Sequence, residues 1–166
     1  MIPDDIEGLT ALFDQLGARD SESWARSQVN EGIPQLARYL FLRQAWRNVV
    51  SEDDPTWIDR EIASAQSSPD QPYAGAGHAL ARLRARGASD ADVTDLARAM
   101  QASFLFSLCY LLEDPAIEEP AASEVMWALV QTDFDGNVVG PISGLHESVL
   151  QTDPTGREMR PRPAAG

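Results

Sequence analysis

Apolar residues recur every three or four positions between Ser89 and Leu112, and this stretch constrains the fold more than any other. Such spacing places side chains on one face of an α-helix. They are Val93, Leu96, Ala97, Met100, Phe104, Leu108 and Leu111. From Phe104 onwards the stretch is apolar on nearly every side. We therefore predict a long helix that lies at the buried centre of a bundle.

The chain before this stretch predicts shorter helices with the same spacing. Pro34 and the Asp54-Pro55 pair separate them, because proline lacks a backbone N–H and interrupts a helix. The predicted helices cover residues 3–16, a segment that opens at Asp20 or Ser21, residues 34–50, a segment that opens at Pro55, and residues 73–86. The small residues at 74–77 would let two helices approach closely. The predicted fold class is mainly α, a helical bundle of five to six helices in residues 1–112.

The sequence changes character after Glu113. Residues 125–130 are rich in β-forming side chains, Asp135-Gly136-Asn137 is typical of a hairpin turn, and Val138-Val139 can return as a second strand. We expect a small C-terminal β-hairpin that packs its Val125, Trp127 and Leu129 side against the helices. The alternative is an all-α fold in which residues 125–131 form a last helix. Residues 1–156 are predicted to be a single globular domain, with an acidic loop and hairpin region at 113–156 and a flexible tail at 157–166.

Charge restricts the classes of partner. The formal net charge is −13, and all thirteen basic residues are arginines. Without lysine, the chain has neither a Schiff-base nucleophile nor the lysine of a phosphate-binding P-loop. A negative charge of this size repels nucleic acid and anionic membranes, and it attracts a basic protein. Residues 113–156 hold nine acids and no base, so an acidic face is predicted there.

Other compositional features bear on the protein's origin and compartment. Arginine in place of lysine, together with many alanines, suggests a bacterial genome rich in GC. The acidic start of the chain and the lack of an apolar run long enough to cross a bilayer lead us to expect a cytoplasmic protein. With Cys109 as the single cysteine, no disulfide can form within the chain.

The segment from Leu129 to Val138 resembles the first motif of the haloacid-dehalogenase-like phosphatases, in which a hydrophobic strand delivers an aspartate nucleophile. The resemblance implies that Asp133 attacks phosphorus and that Asp135, two residues on, transfers the proton. The chain departs from that family because the motif stands near its end and the lysine that usually follows is missing. A hairpin turn is the simpler interpretation, since aspartate and glycine tolerate the backbone angles of tight turns.

Metal and cofactor motifs are incomplete in this sequence. In an EF-hand that began at Asp133, position twelve would be Gly144 instead of a glutamate. His146-Glu147 begins like a zinc-protease motif, but Leu150 stands where the second histidine is needed. The glycines at 75 and 77 lack the strand and the third glycine of a dinucleotide site. We therefore expect no cofactor and no metal.

These observations favour a binding protein over an enzyme. The leading hypothesis is an acidic protein-binding domain, in one form an immunity or antitoxin-like protein that masks a basic toxin. Its candidate contact residues are Glu118, Glu119, Glu124, Trp127, Asp133, Asp135, His146 and Glu147. One alternative is a metal-assisted hydrolase built from Asp133, Asp135, His146 and Glu147. Another is a structural or regulatory domain with no ligand.

Overall fold

A computed structural model describes residues 2–115, 117 and 119–162 of the chain. Within these residues the protein has seven α-helices and one two-stranded antiparallel sheet near the C-terminus. The prediction of a mainly α protein with a small C-terminal hairpin is confirmed. The all-α alternative is wrong, because residues 125–129 are irregular and the next three form a strand. No helix in the described part is long and apolar enough to cross a membrane.

The helices begin and end close to the predicted signals. They are α1 (Ile6–Leu16), α2 (Ser21–Glu31), α3 (Gln35–Ala45), α4 (Trp57–Ser67), α5 (Ala74–Ala85), α6 (Asp90–Glu113) and α7 (Leu145–Ser148). A 3-10 turn, Trp46–Asn48, extends α3, and another lies at Pro120–Ala122. The Asp5 carboxylate caps α1 by accepting the Gly8 N–H at 2.8 Å, and Gly17 ends the helix with a φ of 80°.

The contacts that residues make in space divide the chain into two compact units. Of the described residues, those up to 47 and those from 104 onwards form the terminal unit, and residues 48–103 form the central unit. One boundary falls inside the 3-10 turn after α3, and the other falls inside α6.

The core of the terminal unit is built around three aromatic rings. Phe13 and Trp24 are stacked with ring centroids 5.9 Å apart, and Tyr39 meets both rings edge-on at 5.5–5.6 Å. Leu9 and Ala25 are fully buried beside them. This cluster holds α1, α2 and α3 together, because each of these helices contributes at least one of its members.

The C-terminal segment packs into the same unit. Leu145 and Val149 are fully buried, and the Trp46 indole N–H donates to the carbonyl oxygen of Val149 at 3.0 Å and to Thr152 Oγ1 at 3.1 Å. Further on, the Asp153 carboxylate is buried and accepts from the hydroxyl of Thr155 at 2.7 Å. The predicted tail is described only as far as Arg162, and residues 163–166 lie outside the described residues.

The central unit packs α4 and α5 against each other at a small residue. A Cβ at Gly77 would lie 2.2 Å from the carbonyl oxygen of Glu61, so the two helices are in backbone contact there. The prediction that small residues at 74–77 allow a close helix approach is confirmed at this glycine. In the same unit, the Trp57 indole N–H donates to Thr94 Oγ1 at 2.8 Å.

The burial predicted for α6 is wrong in part. Leu96, Met100 and Phe104 are 61–69% exposed, and the covered line of the helix comprises Thr94, Arg98, Ala102, Leu105 and Cys109. Arg98 is turned inward because its Nη1 donates to the carbonyl oxygen of Val50 at 2.8 Å. Polar side chains can occupy a buried helix face when they find hydrogen-bond partners there. Spacing alone did not identify the covered face.

Candidate protein-binding surface

Two short strands, β1 (Val130–Thr132) and β2 (Val138–Pro141), form the predicted hairpin. They pair antiparallel, with a bulge between Gln131 and Thr132. β1 begins five residues later than the apolar run at 125–130 predicts. The turn between them takes up five residues, 133–137.

Asp133 organises the turn. Its Oδ1 accepts the backbone N–H of Asn137 and its Oδ2 accepts the Asn137 side-chain amide, both at 2.8 Å. These hydrogen bonds, the side-chain one first, lower the pKa of the Asp133 carboxyl, because they stabilise its charged form. Gly136 takes a φ of 86°, in the left-handed region that glycine enters without strain. The hairpin-turn interpretation of Asp133 and Asp135 agrees with this geometry.

The hairpin and the segment before it leave their large apolar side chains in solvent. Phe134 at the tip is fully exposed, Met126 is 71% exposed, and Val138 and Val139 are both more than 60% exposed. Neighbouring residues of a strand point to opposite faces, so both faces of β2 are uncovered. We call this set the hairpin surface, and it comprises Met126, Trp127, Val130, Phe134, Val138 and Val139.

The hairpin surface is attached to the rest of the terminal unit at its base. The Trp127 indole N–H donates to the carbonyl oxygen of Leu111 at 2.8 Å, although the Trp127 side chain remains 41% exposed. Ile142 is buried, and its N–H continues the ladder to the carbonyl oxygen of Leu129 at 2.8 Å. Of the three side chains expected to pack against the helices, Trp127 contacts α6 through this hydrogen bond, Leu129 is half-buried, and Val125 is 54% exposed, so the expectation is wrong for Val125.

The end of α6 adds to the exposed apolar area of this unit. Phe104, Phe106, Tyr110 and Leu111 are all at least two-fifths exposed. The rings of Phe106 and Tyr110 meet the His146 imidazole edge-on, at centroid distances of 6.0 and 5.1 Å. The His146 ring therefore packs against two aromatic side chains of α6.

A partly buried carboxylate fixes His146 from the other side. Glu113, whose side chain is 12% exposed, accepts the backbone N–H groups of Gly144 and His146 at 2.8 and 3.1 Å. The His146 Nδ1 lies 3.1 Å from Glu113 Oε2. Burial lowers the pKa of the Arg38 guanidinium, although the negative charges of Glu147 and Glu113 act to raise it. This cluster joins α3, α6 and α7, and its hydrogen bonds are those of a structural junction.

The predicted acidic face divides into two groups of carboxylates. Glu113 and Asp153 are withdrawn from solvent and bound by N–H and O–H groups of the chain. The exposed ones among the predicted site residues are Glu119, Glu124, Asp133, Asp135 and Glu147. Glu118 lies outside the described residues.

The structure does not assemble the cluster required by the hydrolase hypothesis. Among residues 2–115, 117 and 119–162, no three His, Cys, Asp or Glu side chains come close enough together to hold a metal ion. Asp133 and Asp135 lie in the hairpin turn, whereas His146 lies on α7 against Glu113.

No protein-family model, curated protein sequence or solved structure matches this chain. The candidate surface therefore rests on its own geometry.

The sequence identified Trp127 on this surface and Asp133 and Asp135 in the turn beside it, but it did not identify the exposed apolar side chains of Met126, Phe134, Val138 and Val139. One signal was available. Val138 and Val139 are consecutive apolar residues in a strand, and this pattern is typical of strands that are covered on both faces. Within the described chain both side chains are exposed.

Proposed function

We propose that this chain is a protein-binding domain whose hairpin surface docks a partner that carries basic residues. The observation that carries the proposal is the fully exposed Phe134 at the tip of a hairpin whose Val138 and Val139 are also in solvent. A large apolar side chain gains about 1.5–3 kcal/mol when it is fully buried. Covering several such side chains at once supplies a substantial binding free energy.

Hairpin geometry supports the same proposal. A two-stranded hairpin is marginally stable in water unless one face is packed, and both faces of β2 are uncovered in the described residues. The sheet has only two strands, so each strand has an outer edge without a strand neighbour in the described part of the chain. Such an edge can pair with an extended segment of another protein through backbone hydrogen bonds.

Charge complementarity supports a basic partner. Asp133 and Asp135 flank Phe134 at the tip, and Glu124 precedes Met126. No arginine or lysine occurs between residues 113 and 156. Acids around an apolar centre steer a positively charged partner into contact and disfavour acidic competitors. A basic toxin masked by an immunity or antitoxin-like protein is one specific form of this proposal.

The test compares what the wild-type protein and matched variants bind. A Phe134→Ser, Val139→Ser double variant removes apolar area from the hairpin surface, and Tyr73→Ser removes a similarly exposed ring from the central unit. Proteins retained from an extract of the source organism are quantified with all three, and each specifically retained protein is purified and titrated by calorimetry. We expect a retained protein with net positive charge. Its dissociation constant should rise at least about thirtyfold with the double variant, as for hot-spot residues, and stay unchanged with Tyr73→Ser.

A second pair of variants tests the electrostatic part. Asp135→Asn should slow association with that partner and reduce the dependence of the rate on salt, because rim charges act mainly on the encounter. Asp70→Asn makes the same charge change at an exposed position of the central unit and should have no effect. If no protein is retained, or if the Phe134→Ser, Val139→Ser double variant binds as tightly as the wild type, the proposal is wrong.

A further inference from the structure

A cleft of about 500 Å³ opens in the terminal unit, and no residue of the hairpin surface lines it. The end of α1, the end of α3 with its 3-10 turn, and the C-terminal turn at residues 151–156 form its walls. Its volume lies within the range of roughly 300–1,000 Å³ that is typical of small-molecule sites.

Three arginines line this cleft in a protein whose net charge is −13. Arg19 is fixed by the turn, since its Nη atoms donate to the carbonyl oxygens of Gly156 at 2.6 Å and Gln151 at 2.8 Å. Arg43 and Arg47 lie four residues apart, and neither side chain has a hydrogen bond or an ion pair with the described residues. Guanidinium groups present a planar pair of donors that matches carboxylate and phosphate oxygens.

The cleft lining does not neutralise these arginines. Asp153 is the one carboxylate among the lining residues. Its Oδ2 accepts from the Thr155 hydroxyl at 2.7 Å and from the Met159 N–H at 3.0 Å, and its Oδ1 accepts the Thr155 N–H at 3.1 Å. The lining therefore carries three guanidinium groups and one carboxylate, and that carboxylate is hydrogen-bonded within the C-terminal turn.

Two largely buried aromatic side chains also border the cleft. Trp24 lines the cleft and is 4% exposed, and its indole N–H has no hydrogen-bond partner among the described residues. Because that N–H is itself out of reach of solvent, it supplies no donor to the cleft. Tyr39, beside it, donates to the carbonyl oxygen of Leu16 at 3.3 Å, which is long for a hydroxyl hydrogen bond.

We propose that this cleft binds a small organic anion, with its carboxylate or phosphate group held by Arg43 and Arg47 and its apolar part against Leu16, Pro154 and the small exposed edges of Trp24 and Tyr39. The proposal is independent of partner binding at the hairpin surface, since the two sites share no residue. Arg19 acts as a positioning residue, because its contacts hold the turn that forms one wall.

The probes are phenyl phosphate, benzoate and inorganic phosphate, titrated up to about 10 mM into the full chain. Calorimetry gives the affinity, and ¹H–¹⁵N spectra locate the site. We expect phenyl phosphate or benzoate to bind and to shift the amides of Gly17, Thr152 and Gly156. Tighter binding of phenyl phosphate than of inorganic phosphate would show that the apolar lining of the cleft contributes.

The variants Arg43→Gln and Arg47→Gln each remove one charged donor and should weaken binding about tenfold. Arg82→Gln makes the same change at an exposed arginine of the central unit and should leave binding unaltered. The spectra also confirm that each variant is folded. The proposal is overturned if neither phenyl phosphate nor benzoate binds, if the shifts fall outside the cleft, or if Arg82→Gln weakens binding as much as the cleft variants do.

Discussion

Helix α5 approaches α4 so closely at Gly77 that there is no room for a methyl group. A Cβ at this position would lie 2.2 Å from the Glu61 carbonyl oxygen and 2.6 Å from the Ala65 Cβ. The first of these contacts is to backbone, so no side-chain rotation can relieve it. Gly77→Ala must therefore push the two helices apart.

The expected cost follows from the geometry. Relieving the contact requires a separation of about 1 Å, and a gap of that size forfeits up to about half of the dispersion energy of the facing atoms. Overpacking of this kind costs typically 1–3 kcal/mol, and a backbone clash belongs at the upper end. The higher helix propensity of alanine relative to glycine offsets up to about 1 kcal/mol of this loss in stability. We expect Gly77→Ala to lower the free energy of unfolding by about 2 kcal/mol.

Gly75 provides a matched control in the same helix. A Cβ there would meet nothing within 4 Å. Gly75→Ala should therefore leave stability unchanged or raise it by up to about 1 kcal/mol. The assay is urea denaturation of the wild type and both variants, followed by circular dichroism at the helical band. If Gly77→Ala were as stable as Gly75→Ala, the close packing of α4 against α5 would be refuted.

Two further predictions concern the terminal unit. Gly144→Ala should destabilise the protein more than Gly136→Ala in the same denaturation assay. Both glycines have positive φ, but only at Gly144 does the added Cβ fall 2.2 Å from the Arg38 guanidinium. Equal losses of unfolding free energy in the two variants would contradict this packing. Burial, with a smaller contribution from Glu113, raises the pKa of the Cys109 thiol to about 11. The folded protein should therefore resist iodoacetamide at pH 8, and the stability that the neutral thiol contributes should be lost as the pH rises through about 9 to 11; rapid alkylation of the folded protein would contradict this.

How well each element could be predicted depended on whether its signal is local. Asp5, Gly17 and the Asp54-Pro55 pair begin or end helices through groups a few residues away, and the helices lie within a few residues of these signals. The turn at Asp133–Asn137 is equally local, because one carboxylate organises it. The candidate site was predictable only in part. Trp127, Asp133 and Asp135 followed from the acidic hairpin segment, whereas the exposure of Phe134 and Val139 did not.

By itself, the sequence determined the order of the helices and the hairpin turn, because capping and turn residues act on backbone only a few positions away. It also excluded lysine chemistry, because that follows from composition alone. Only the tertiary structure decided which face of α6 is covered and which carboxylates stay in solvent. It also brought Arg19, Arg43 and Arg47 to one cleft with residues 151–156. Burial and convergence depend on contacts between residues far apart in the chain, and helical spacing carries no information about which neighbour covers a face.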